Sequence, residues 1–142
     1  MSNLDILYPV AAMAFLTMCV WAWMYIVRIS TIYRRNIDVQ QLANDYDVKR
    51  SLGEIAPSSD NFSNLFEAPV LFYTAAVVLF VTSRVDEAYL VLAWGFVILR
   101  IAHSLIHLVY NRVTHRFAAY FASTLLLWAM WLRISWQLLM TG

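Results

Sequence analysis

Between residues 100 and 120 the chain reads RIAHSLIHLVYNRVTHRFAAY. Arg100 is followed by His103, Ser104, His107 and Asn111 at offsets of three, four, seven and eleven, which places all five on one helical face. Ile101, Leu105, Leu108 and Val109 point elsewhere. An arginine within a membrane-length helix is costly, so it faces a protein interior or a wet cavity and counts as a candidate functional residue. Arg116 and, one turn on, Tyr120 follow a short polar connection. A second cluster, Asn64 and Glu67, lies three residues apart and therefore on a shared face. The two clusters together supply a carboxylate, amides, imidazoles, guanidinium groups and a phenol. That set suits a small zwitterionic, polyanionic ligand better than a hydrocarbon.

The elements that must position these groups are membrane-length helices. Apolar runs at about 4–27, 62–82, 88–109 and 116–140 give four spans, and about 20 residues at 1.5 Å each cross a hydrocarbon core of about 30 Å. Pro9 suits the first turn of the first helix, and Trp21, Trp23 and Tyr25 suit an interface. The first loop, 28–60, is the longest connection and the most mobile candidate; its early part can prolong helix one past Arg28. Gly53, Pro57, Ser58 and Ser59 read as a turn, with Asp60 as N-cap of the second span. Pro69 is expected to kink or loosen that span near its start. Ser83 to Glu87 forms a tight polar turn. Arg133 is expected to snorkel to the interface, and Ala93 and Gly95 to permit close helix approach. With antiparallel neighbours, Asn64 and Glu67 share a depth with His103, His107, Asn111, Arg116 and Tyr120. Arg100 lies deeper.

Composition agrees. The 142 residues are 62% hydrophobic and 13% charged, which is the membrane class and a single domain. A net charge of +1 and no basic patch give no reason to expect a nucleic-acid partner. Cys19, alone in an apolar run, reads as an inert small hydrophobe, and the amino terminus carries no cleavable signal pattern. Six Lys and Arg residues belong to the first loop and the 110–115 connection, against one, Arg84, on the other side. The positive-inside rule then puts both loops in the cytoplasm and both termini outside it.

Bland roles stand beside the sharp ones. Arg100 serves either a ligand or an intramembrane ion pair, with Glu67 as the candidate partner. His103 and His107, with His115 beyond, have metal-pair spacing, but no further ligands are evident, so no metal is expected. Arg116 is alternatively a headgroup anchor, and Tyr120 an interface or core aromatic. Trp128, Trp131 and Trp136 are expected to face lipid or a neighbouring helix, with no cofactor implied.

The ordered set Asn64-Leu65-Phe66-Glu67 with Pro69, then Arg100-x-x-His103, His107, Arg116 and Tyr120, resembles the MAPEG family, membrane-associated proteins of eicosanoid and glutathione metabolism. The resemblance covers nearly the whole chain, including four spans, a long first loop and short later ones. It implies an all-α integral membrane protein, a four-helix antiparallel bundle assembling as a homotrimer, with glutathione between protomers at the cytoplasmic side. By the same resemblance Asn64 and Glu67 hold peptide and amino groups of glutathione, and Arg100, His103 and His107 add polar contacts. Arg28 of a neighbouring protomer faces a glutathione carboxylate. Arg116 is the implied catalytic residue, favouring thiolate over thiol, and Tyr120 donates a hydrogen bond to sulfur or acceptor.

Three departures stand out. Asp60, Asn61, Phe62 and Ser63 occupy positions where eicosanoid-forming members carry basic residues. Phe117 follows Arg116 where one branch has a hydroxyl, and His107 stands where those enzymes favour tyrosine. They weigh against prostaglandin and leukotriene substrates. The expectation is a glutathione transferase or peroxidase acting on hydrophobic electrophiles; the alternative is a non-catalytic membrane protein that binds lipid or serves as a structural partner. A transporter subunit is the weaker third, since spans one and two offer no through-going polar path. The short loops are compatible with a bacterial inner membrane.

Overall fold

A computed structural model describes residues 2–36 and 56–141, and the regular elements among them are all helical. A 3-10 turn, Asn3–Ile6, leads into α1, Leu7–Arg35; then come α2, Ala56–Asn64, α3, Ala68–Val81, α4, Glu87–Val109, and α5, Val113–Thr141. Four segments are long and apolar enough to cross a membrane: Asn3–Arg35, Ser59–Val81, Glu87–Val109 and Val113–Met140. The four-span expectation therefore holds.

The differences from expectation are local. Helix one does run beyond residue 27, to Arg35, where Asn36 in the left-handed region (φ 49°) ends it. Ser2 closes a capping box with Asp5 ahead of it, so Pro9 falls in the first turn of α1, where a missing N–H costs nothing. Asp60 is not an N-cap: α2 has already begun at Ala56, and the stretch from Pro57 to Ser59 is helical rather than a turn. Gly53, and the mobility expected of the long loop, lie outside the described residues.

Pro69 does more than kink span two. A helical Pro69 has no N–H for the Leu65 carbonyl, and its ring collides with it. The chain answers by ending α2 at Asn64 and restarting at Ala68, with Glu67 at φ −94°, ψ −97°. Tight i→i−3 bonds close the break: Leu65 N–H to Phe62 O at 3.0 Å and Phe66 N–H to Ser63 O at 2.9 Å. Ala68 and Pro69 then become the first two residues of α3.

The core gathers Ile6, Met13 and Val20 with Phe72, Ala76 and Leu79 of α3, Phe96 and Val97 of α4, and Leu127 and Met130 of α5. Phe72 stacks on Phe96 at 4.7 Å. α4 and α5 form the most extensive pair, and a Cβ on Gly95 would meet Leu126 Cδ1 at 2.8 Å, so the glycine admits the close approach expected of it. Ala93 is fully buried beside it. Trp128 and Trp136 face outward, whereas Trp131 donates its indole N–H to Leu71 O at 3.3 Å.

At the end remote from Asn64, Asp86 caps α4 by accepting from Tyr89 N–H at 3.0 Å. It also takes two bonds from Arg133, one of 2.7 Å, and Arg133 lies over the Tyr89 ring. Arg133 is thus tied to the α3–α4 turn. Its hydrogen bonds hold the Asp86 carboxyl below the ordinary 3.8.

Candidate functional site

The stripe of α4 that carries the chemistry is the stripe that is buried. Tyr89, Ala93, Phe96 and Val97 occupy one half, and Arg100, His103, Ser104 and His107 continue it. Ile98, Ile101 and Leu105 take the outer face. A helix that hides its polar residues and shows its apolar ones suits lipid outside and a polar interior.

The break in span two meets this stripe. In an unbroken helix the Asn64 carbonyl would accept from the residue four further on; here it has no such partner, and Arg100 Nη2 donates to it at 3.1 Å. Arg100 is 0% exposed. Its guanidinium carbon lies 4.9 Å from the Tyr120 ring centre and 5.6 Å from that of Phe96. Its Nε and Nη1 have no hydrogen-bond partner. The anticipated ion pair with Glu67 is not formed: Arg100 takes the carbonyl, and Glu67 accepts from Tyr120 Oη at 3.3 Å. A buried cation is left with two open donor nitrogens and no carboxylate in direct contact.

Arg116 is held from α4. Its Nη1 donates to His107 Nε2 and to Asn111 Oδ1, both at 2.9 Å. Asn111, left-handed at φ 45°, terminates α4 by returning its N–H to Ile106 O at 2.7 Å. The Arg116 carbonyl receives His103 Nδ1 at 3.1 Å. Partner chemistry then sets both tautomers. A carbonyl only accepts, so His103 carries its proton on Nδ1; a guanidinium only donates, so His107 Nε2 is bare. His103 Nε2 is a buried acceptor without a partner, and His107 Nδ1 a buried donor without one.

A pocket of about 200 Å³ opens here, lined by Asn64, His103, Val113, Arg116, Phe117 and Tyr120. It brings together three of the expected helices and both catalytic candidates. Glu67 reaches its edge through Tyr120, Arg100 sits behind Tyr120, and His107 sits behind Arg116. Arg28, half-buried on α1, is not among the lining residues. His115 pairs outward with Tyr110 Oη at 3.2 Å rather than with the other histidines. No group of three His, Cys, Asp or Glu side chains with metal-binding geometry occurs among the described residues.

One participant escaped the sequence reading. Asn61 is fully buried and accepts from Ser104 Oγ at 3.2 Å, leaving its Nδ2 unpartnered. Asn64 and Asn61 share a helix face, and that spacing was the available signal. Asn111, expected at this depth, proves to be a clamp on Arg116.

No curated protein and no solved structure matches the chain. The model of the MAPEG family matches residues 6–136 of the 142. With four membrane-capable helices and nearly the whole chain matched, this is an integral, multi-pass membrane protein that belongs to the MAPEG family.

Proposed function

We propose that the protein binds glutathione in the pocket between α2, α4 and α5 and presents its thiolate to hydrophobic electrophiles arriving from the bilayer, as a transferase or peroxidase. The observation that carries this is Arg116 in the pocket wall, fixed among the described residues through Nη1. A guanidinium beside sulfur stabilises thiolate over thiol. In the transfer reaction the thiol proton leaves to solvent, sulfur bonds to the electrophilic carbon and the leaving group departs. Tyr120, with its hydroxyl on Glu67, is placed to donate to sulfur or acceptor when that bond turns. The open acceptor of His103, in the pocket wall, complements the amide N–H groups of glutathione.

The pocket of one chain, about 200 Å³, is smaller than the about 300–1,000 Å³ of a complete small-molecule site. A homotrimer, with Arg28 supplied by a neighbouring protomer, would complete it. The six-to-one distribution of Lys and Arg supports a cytoplasmic site with both termini outside, and the short later loops are compatible with a bacterial inner membrane. A second reading, a non-catalytic protein that binds lipid or acts as a structural partner, is favoured by Phe117, which walls the pocket where a hydroxyl would assist sulfur.

The test is binding and turnover of purified protein in detergent. Glutathione should bind at millimolar concentration or tighter, and an aryl halide should be conjugated. R116A should lower turnover far more than trimer content. Absence of binding and conjugation overturns the enzyme reading; equal losses in R116A make that residue structural.

A further inference from the structure

We infer that His107 is a positioning residue for Arg116, acting through the guanidinium rather than on glutathione; this rests on the function proposed above. His107 is 1% exposed and absent from the pocket lining, so it is not placed to touch a ligand there. What it touches is Arg116 Nη1, at 2.9 Å.

The consequence follows from donor counting. A guanidinium has five N–H groups in a rigid plane. Two of them, both on Nη1, are spent on His107 Nε2 and Asn111 Oδ1. Two acceptors on one nitrogen fix the position of the plane and its rotation about the guanidinium axis, where a single acceptor would leave that rotation open. No bond to Nη2 or Nε is made among the described residues, so these three N–H groups are available to sulfur. The clamp demands an acceptor at the Nε2 position. A phenol there would offer its own O–H in competition and would be free to turn. The imidazole cannot, because Arg116 itself compels the Nδ1–H form. Asn111 comes from the left-handed turn that ends α4, so the C-terminal geometry of one helix sets the charge that projects from the next.

The experiment compares H107Q, H107N and H107F in the full-length protein in detergent. Glutamine places its amide oxygen near the Nε2 position; asparagine is polar but too short to reach Arg116. Three quantities are read: glutathione affinity by calorimetry, thiolate formation by ultraviolet absorbance across pH, and trimer content. Loss of one hydrogen bond to a charged group corresponds to about tenfold. H107N and H107F should therefore need about one pH unit more to form the bound thiolate, with glutathione affinity at low pH unchanged. H107Q should recover the wild-type titration. A wild-type titration in H107N, or failure of H107Q to differ from H107N, overturns the positioning role. Parallel loss of affinity in every variant means His107 contacts the ligand and also overturns it. If the wild-type protein binds glutathione but forms no thiolate at accessible pH, catalysis by Arg116 falls and this inference with it; if it binds none at all, the binding reading falls as well.

Discussion

Replacing Arg100 by methionine separates two accounts of why a charge is buried in this bundle. The removed side chain gives up its bond to the Asn64 carbonyl, leaving a buried acceptor at a cost of about 1–3 kcal/mol. It also gives up two ring contacts worth about 1 kcal/mol each, which a thioether against Phe96 and Tyr120 partly restores. Against this, Nε and Nη1 are buried donors with no partner, each costing about 1–3 kcal/mol, and methionine removes both. The balance lies within about 2 kcal/mol of zero. Breaking a true buried ion pair would instead cost about 3–5 kcal/mol. At about 3 °C per kcal/mol for a chain of this size, R100M should melt within about 6 °C of wild type when ligand-free. The difference should appear on adding glutathione. Wild type at a hundred times its dissociation constant gains about 2.7 kcal/mol, some 8 °C, whereas R100M gains less of this because Asn64 and Tyr120, two residues of the pocket wall, lose the side chain that holds them. Thermal unfolding of detergent-solubilised protein, with and without glutathione, measures both. A ligand-free loss of about 10–15 °C, or an undiminished glutathione shift in R100M, refutes the reasoning.

P69A restores an N–H for the Leu65 carbonyl and should lengthen α3 backwards, taking the Asn64 carbonyl away from Arg100; hydrogen exchange at residues 65–69 should slow and glutathione affinity should fall. D86N should lower the melting temperature by removing a charged N-cap and the Arg133 bonds, an effect of about 1 kcal/mol given the exposure of both groups. Because the folded Asp86 carboxyl titrates below its ordinary 3.8, its contribution is complete above that value and fades as pH falls through the depressed one. The gap in melting temperature between wild type and D86N should therefore be constant near neutrality and close below about pH 4; a gap independent of acid would remove the ionised carboxylate from the explanation.

Much of the fold was legible because lipid makes a strong demand: a run of apolar residues must be helical to satisfy its own backbone. The polar stripe from Arg100 to His107 was equally legible, since period and depth are both read from spacing. Three things were not. Asp60 carries an N-cap residue type, but the chain is already helical from Ala56, and local signals compete. Pro69 announced a disturbance without its extent; only the resulting free carbonyl, met by Arg100, makes a full break tolerable. The union of Asp86 and Arg133 spans 47 positions, and nothing local in either segment names the other. The same holds for the side chains around Arg116, whose partners were visible as polar residues but not as donors and acceptors of set direction.

The division of span two also bears on how the chain sits in a membrane. α3 has 14 residues, about 21 Å of helix, too short for a hydrocarbon core of about 30 Å. Span two therefore needs α2 and the irregular residues 65–67 at bilayer depth, with an unpaired Asn64 carbonyl among them. Span three, alone, carries an uncompensated arginine whose insertion costs about 2.5–3.5 kcal/mol at a helix centre. Each segment holds the group the other lacks, and the turn 82–86 that joins them is only five residues long. Spans two and three are thus complementary within the bilayer, because the bond from Arg100 to the Asn64 carbonyl covers a donor of one and an acceptor of the other.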